Sequence, residues 1–134
     1  MGYKYLEDAN IDLKVTPYGW GANEDPREDK WKKEREIYGF DERETWSMDS
    51  TFICWLYQRL KMFNEVNCID TKNPHQTFEF ENEDGEIINV TLQDCIDNMI
   101  ELCELYYEGN SNQEDQIIET VLGIFSECIR YLWW

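Results

Sequence analysis

The sequence predicts an α+β fold that is mainly α: a single domain of about four helices with one antiparallel β-hairpin inserted at about residues 77–90. Three observations carry this. Apolar residues recur at spacings of three and four through 48–64, 92–108 and 113–132, the period of a helix with one buried face. Between Thr77 and Val90 the pattern changes to alternation around an Asp84-Gly85 turn signal, as in a strand pair. A length of 134 residues, 42% hydrophobic and 15% aromatic, suits one core and is too short for two.

The first 24 residues show no sustained period. Pro17, Gly19 and Gly21 punctuate them while Tyr3, Tyr5, Tyr18 and Trp20 offer apolar anchors, which reads as an extended arm held to the body by its aromatics. Asp25-Pro26 then supplies an N-cap and a proline at the first helical position, and Gly39 a left-handed stop, so a first helix is expected over 26–38. Its apolar content is limited to Trp31, Ile37 and Tyr38, which places it across the surface. A polar turn over 41–45 leads to Ser47, a candidate cap, and to Asp49 in the first turn of a second helix over about 48–64. Met48, Phe52, Leu56, Leu60 and Phe63 form its expected core stripe, with Trp55 on the flank.

Side-chain matching sets the hairpin register. With Glu83, Asp84 and Gly85 as a three-residue loop and Gly85 left-handed, Phe80 faces Ile88 and Phe78 faces Val90, while Glu79 and Glu81 turn to the other side. A two-residue loop would set Phe80 against Asn89. Such a hairpin is marginal alone and must pack on helices. Thr91 is positioned to cap a third helix over 92–108, stopped by Gly109, with Leu92, Cys95, Ile96, Met99, Cys103 and Tyr106 on one arc. After a connection at 110–112, the last helix, over about 113–132, is apolar around half its circumference and is expected to be the most buried. The domain thus divides into an arm (1–24), a mixed-charge helical half (25–64) and an acidic half of hairpin plus two helices (73–134).

Charge separates these halves. Of 29 Asp/Glu and 12 Lys/Arg, 14 acids but only one base, Arg130, fall in 73–134, so −13 of the net −17 lies there. Such a surface repels nucleic acid and anionic membranes and attracts a basic groove. No apolar run approaches the ~20 residues needed to cross a bilayer, and the polar, acidic stretch from Met1 to Asn10 does not read as a signal peptide.

Catalytic and metal patterns are missing. Five cysteines, Cys54, Cys68, Cys95, Cys103 and Cys128, contain no Cys-x-x-Cys and read as buried, reduced thiols of a cytosolic protein. His75 is the only histidine, which argues against a structural zinc site. A two-metal hydrolase needs convergent carboxylates with a proton carrier, and a di-iron bundle needs Glu followed by His three residues on. Neither pattern occurs, nor does a Ser, His and Asp set or a Gly-rich phosphate loop. The expectation is a non-enzymatic protein without cofactor or metal.

In the third helix Asp94, Asp97, Glu101, Glu104 and Glu108 follow at steps of three and four. They line one face opposite the apolar arc, spaced about 4.5 to 6 Å along the axis. That resembles the spacing of phosphates along a nucleic-acid strand. A solvated helix face has the same pattern, but it ordinarily intersperses Lys or Arg, and this helix has none. Glu79, Glu81, Glu83 and Asp84, with Glu86, repeat the theme at the hairpin, where edge charge also discourages strand pairing. Thr91 joins the two sets.

Arg27, Lys30, Lys32, Lys33 and Arg35 form the only basic cluster, interleaved with acids that favour salt bridging within the helix. Trp20, Trp31, Trp46 and Trp55, with Arg43 and Arg59, are candidates for an aromatic or nucleotide pocket, core packing being the plainer reading. Trp133 and Trp134 are candidates for a homodimer contact or partner anchor.

The segment Glu34-Arg35-Glu36-Ile37-Tyr38-Gly39-Phe40-Asp41-Glu42-Arg43-Glu44-Thr45-Trp46-Ser47-Met48-Asp49, followed by Trp55-Leu56 and Arg59-Leu60-Lys61, resembles a family of small phage and prophage proteins. The shared pattern is a glycine and aromatic, then Asp, then an acidic residue with Thr-Trp and an Asp three residues after the Trp. It covers about a fifth of the chain and leaves out the acidic hairpin and third helix. Gln58 stands where members of the family often have proline. The resemblance implies an origin, a phage gene expressed in the host bacterial cytoplasm, and no activity. Joined to the acidic surface, it leads to the expectation of an inhibitor that occupies the basic groove of a host nucleic-acid-binding protein as a DNA or RNA mimic, in an anti-defence role such as anti-CRISPR or anti-restriction. The alternative is a non-enzymatic interaction or assembly factor acting through apolar contacts. A nucleotide sponge would require cations that the second half lacks.

Overall fold

Local capping shapes the first helix of the computed structural model, which describes residues 25–108 and 111–134. The expected arm and the Gly109 stop lie outside the described residues. Helix α1 (Glu28–Tyr38) ends as expected, with Gly39 at φ 83° donating its N–H to the Arg35 carbonyl. It begins two residues late, because the Asp25 carboxylate is engaged by the Arg27 backbone N–H (2.9 Å) and guanidinium (3.0 and 2.9 Å), leaving Arg27 at the N-cap. Trp31 is the buried side chain of α1, while Ile37 and Tyr38 are exposed.

A 3-10 turn (Glu42–Thr45) follows, its N-terminus capped by Asp41 Oδ1, which accepts from the Arg43 N–H at 3.0 Å. Helix α2 (Met48–Val66) runs two residues past the expected end. Ser47 occupies the N-cap, but its hydroxyl donates to the Asp49 carboxylate instead of accepting from a helix N–H. Ile53, Cys54, Leu56, Tyr57 and Leu60 are buried, with Phe52 and Phe63 partly so. Met48, expected in the core, is 66% exposed. It lies roughly 150° around the helix from the centre of the buried face. The core stripe is rotated because Cys54 and Tyr57 take core positions despite their polar ends, the Tyr57 hydroxyl finding a partner in Glu104.

Strands β1 (Thr77–Glu81) and β2 (Ile87–Thr91) pair antiparallel in the expected register, Phe78 opposite Val90 and Phe80 opposite Ile88. The Asn82 N–H donates to the Glu86 carbonyl at 2.8 Å, closing a Glu83-Asp84-Gly85 loop in which Gly85 takes φ 79°. Asn82 Oδ1 accepts from the N–H groups of Asp84 and Glu86. Phe78 is buried edge-on against Tyr131, and Phe80 and Val90 pack on the core.

Helix α3 (Leu92–Glu108) has the expected bounds and arc: Leu92, Cys95, Ile96, Met99, Cys103 and Tyr106 are all buried. Thr91 and Asp94 form a reciprocal capping box, the Asp94 N–H donating to Thr91 Oγ1 (3.2 Å) and the Thr91 N–H to Asp94 Oδ2 (2.9 Å). A 3-10 turn (Ser111–Gln113) opens helix α4 (Glu114–Cys128), which tightens into a second 3-10 turn (Ile129–Tyr131) instead of continuing to 132. The last helix is not the most buried. Only Ile117, Val121 and Cys128 are fully enclosed, while Leu122 and Ile129 are each 47% exposed. α3 packs against both α2 and α4 and so occupies the centre, leaving α4 an outer helix with apolar surface to spare. Four cysteines are buried as expected, but Cys68 is exposed.

Candidate functional site on the central helix

The acidic row of α3 is centred roughly 160° from its buried arc. Asp94, Asp97, Glu101 and Glu108 are exposed and Glu104 is half-buried. Three of the five have structural ties. Asp94 completes the capping box, Asp97 accepts from Gln93 Nε2 at 2.8 Å, and Glu104 accepts from the Tyr57 hydroxyl at 3.2 Å. Gln93 also donates to Asn64 of α2, so one edge of the row abuts that helix. Glu101 and Glu108 are tied to nothing comparable among the described residues.

Of the hairpin acids, Glu79 and Glu81 point away from the Phe78 and Phe80 face, opposite Asn89 and Ile87, and Glu83 and Asp84 form the exposed tip. The hairpin body packs beside Cys95 and Asn98 of α3 and Thr120 and Ile124 of α4. That side of α3 is roughly 120° from the centre of the acidic row, so the two sets approach each other at Thr91 and Asp94 and do not merge into one file.

The charge contrast between the halves is physical as well as compositional. Ion pairs knit residues 25–43: Lys30 to Glu34 (3.2 Å) and Glu42 (2.6 Å), Arg35 to Glu28 (2.6 Å) and Asp41 (2.7 Å), and Arg43 to Asp41 (2.7 Å). The expected bridging within α1 is present, and it extends into the turn that follows. By contrast Asp94, Asp97, Glu101, Glu108, Glu79, Glu81, Glu83 and Asp84 have no Lys or Arg within 4 Å among the described residues.

The aromatic and arginine residues do not converge on one pocket. Arg43 and Arg27 stack on Trp31, 4.2 and 4.8 Å from the ring centre, and Trp46 meets Trp31 edge-on, clamping α1 to the 3-10 turn. Burial pushes the Asp41 carboxyl up, but hydrogen bonds from Arg43 and Arg35 outweigh it and hold Asp41 below the usual carboxylate range. Trp55 and Arg59 instead wall a separate groove between α2 and α4, a cavity of ≈ 190 Å³ also bounded by Phe63, Phe125, Ile129 and Leu132. Trp20 lies outside the described residues. The C-terminal side of this groove, Phe125, Ile129 and Leu132, has no signal in the sequence beyond the excess of apolar residues over 113–132.

Burial drives the Cys103 thiol up to about 12 and raises Cys54, so both remain protonated at neutral pH and are poor nucleophiles. His75 is exposed and shares a polar cleft with Glu79, Glu127 and Tyr131. Among the described residues no group of three His, Cys, Asp or Glu is placed to share a metal ion, and no helix is long and apolar enough to cross a membrane. Trp133 is 72% exposed and Trp134 is also exposed. Comparison of the chain with protein-family models, curated proteins and solved structures finds no match.

Proposed function

We propose that the chain is an acidic inhibitor that occupies the basic groove of a host nucleic-acid-binding protein in place of a DNA or RNA strand, and that it derives from a phage gene with an anti-defence role. The observation that carries this reading is the set of exposed carboxylates in the α3 row, uncompensated among the described residues in a molecule whose residues 25–43 are knit by ion pairs. Like charges at three- and four-residue spacing destabilise a helix by a few tenths of a kcal/mol per pair. Asp94, Asp97 and Glu104 have structural contacts that offset this cost, whereas Glu101 and Glu108 have none among the described residues, and a cationic partner accounts for them.

Glu101→Lys with Glu108→Lys is the appropriate probe, because neither residue takes part in the cap or the contacts to α2. The chain, immobilised at low salt, is used to capture host proteins, and a captured protein is assayed for binding of labelled nucleic acid. The expected result is competition by the chain, loss of capture of about tenfold or more in the double variant, and affinity falling linearly in log–log form with salt. Undiminished nucleic-acid binding at saturating chain, or capture unaffected by the charge reversal, would sink the mimicry reading. The exposed Trp133 favours a second reading, an interaction factor or homodimer working through apolar contacts. In that case removal of Trp133 and Trp134, and not the charge reversal, abolishes capture.

A further inference from the structure

Helices α2 and α4 both pack on α3, and between them lies the apolar groove noted above. Its lip carries surface that a finished core would enclose: Trp55 is 40% and Ile129 47% exposed. Trp55 of α2 meets Phe125 of α4 edge-on, ring centres 6.5 Å apart, and Phe52 stacks on Trp55 behind it at 6.3 Å, so the aromatic contact closes one side of the groove. At the mouth Arg59 lies over the Trp55 ring at 4.6 Å and donates a hydrogen bond to the Trp55 carbonyl at 3.1 Å. One such bond occupies one of five guanidinium donors, and among the described residues the others meet no carboxylate. Arg130, the sole base of the acidic half, follows Ile129 in the 3-10 turn that closes the same end. In a chain of net charge −17 neither arginine has a carboxylate within 4 Å among the described residues.

We infer that this groove is a binding site for a small amphipathic monocarboxylate, its apolar body lying against Trp55, Phe63 and Leu132 and its carboxylate paired with Arg59. Charge complementarity selects the anion. A fixed planar fork beside an apolar cavity matches a carboxylate bidentately, whereas an ammonium or neutral head would leave the guanidinium unpaired. The cavity of ≈ 190 Å³ restricts the body to a medium-length acyl chain or a single aromatic ring. The site is remote from the carboxylate row and independent of the inhibitor reading.

Octanoate, octan-1-ol and octylammonium share one body and differ in head group, so they isolate the charge. Titration of each into the full chain, followed by amide chemical shifts, should show saturable binding of octanoate with the largest shifts over 55–63 and 125–132. Arg59→Met should weaken octanoate about tenfold and leave octan-1-ol within about twofold, the loss expected for one charge-assisted pair. Ile129→Trp, which fills an exposed position at the lip, should abolish both while helical circular dichroism is retained. Absence of saturable octanoate binding overturns the site. So does octanoate affinity unchanged in Arg59→Met, or octylammonium binding to the same residues more tightly than octanoate.

Discussion

Asp41 is the residue on which the N-terminal half turns. Its carboxylate is buried and receives the Arg43 backbone N–H, the Arg43 guanidinium (2.7 Å) and the Arg35 guanidinium (2.7 Å), thereby capping the 3-10 turn and joining α1 to it. Arg43 in turn packs flat on the buried Trp31 ring. The charge here has a structural task, unlike those of Glu101 and Glu108. Asp41→Asn keeps the size but removes the charge facing two guanidinium groups, and should cost about 2 to 3 kcal/mol in urea denaturation at neutral pH. The pH dependence has a definite sign. The folded-state carboxyl is held below its ordinary value of 3.8, so its stabilisation is complete above about pH 4 and is lost as the pH falls toward the folded value. The gap between the natural chain and Asp41→Asn should therefore narrow below about pH 4. A gap that persists undiminished at pH 2 would show that Asp41 acts by shape and not by charge.

At the scale of the element, the β-hairpin was the most legible part of the sequence, and its reason is local. Gly85 is the residue that tolerates φ 79°, and alternation of Phe78 and Phe80 against Glu79 and Glu81 admits one register. A Cβ at Gly85 would meet only Glu81 Oε1 at 3.6 Å, an ordinary contact, so Gly85→Ala tests backbone conformation alone. It should lower stability by about 1 kcal/mol, with Gly85→Asn costing less because Asn enters the left-handed region more readily. Equal losses for both in thermal unfolding would point to packing instead. Helix α3 was legible for a similar reason, since Thr91, Asp94 and six apolar residues at helical spacing agree. Two features were hidden. The rotation of α2's buried face depends on Tyr57 meeting Glu104, 47 residues away, which no local pattern encodes. The partial exposure of α4 arises because α3 takes the central place, and an apolar arc in sequence does not reveal which helix will be flanked on both sides. The acidic row was readable as a face of α3, but the contacts of Asp97 with Gln93 and of Glu104 with Tyr57 were not.

For the whole molecule, the distribution of charge sets stability and recognition against each other. The carboxylates of α3 and the hairpin repel across distances of the order of the ~10 Å Debye length at 0.1 M salt, so added salt relieves them. Salt also weakens the pairs of residues 25–43, but exposed pairs such as Lys30 with Glu34 contribute only ~0–1 kcal/mol, and the buried Asp41 and Arg43 pair is little screened. Relief of repulsion therefore outweighs the weakening of these pairs. Raising NaCl from about 10 mM to 0.3 M should raise the midpoint of thermal unfolding by a few degrees, a change of about 1 kcal/mol. Glu101→Lys with Glu108→Lys should produce part of that gain without salt, because each substitution turns repulsion along the α3 row into attraction worth a few tenths of a kcal/mol per pair. The same substitutions are expected to weaken partner capture. A stabilised variant with lost binding is the signature of charges kept for recognition, since charges kept for the fold would lose stability and binding together. A midpoint that falls with salt, or a double variant less stable than the natural chain, would mean that these carboxylates stabilise the helix through contacts of their own.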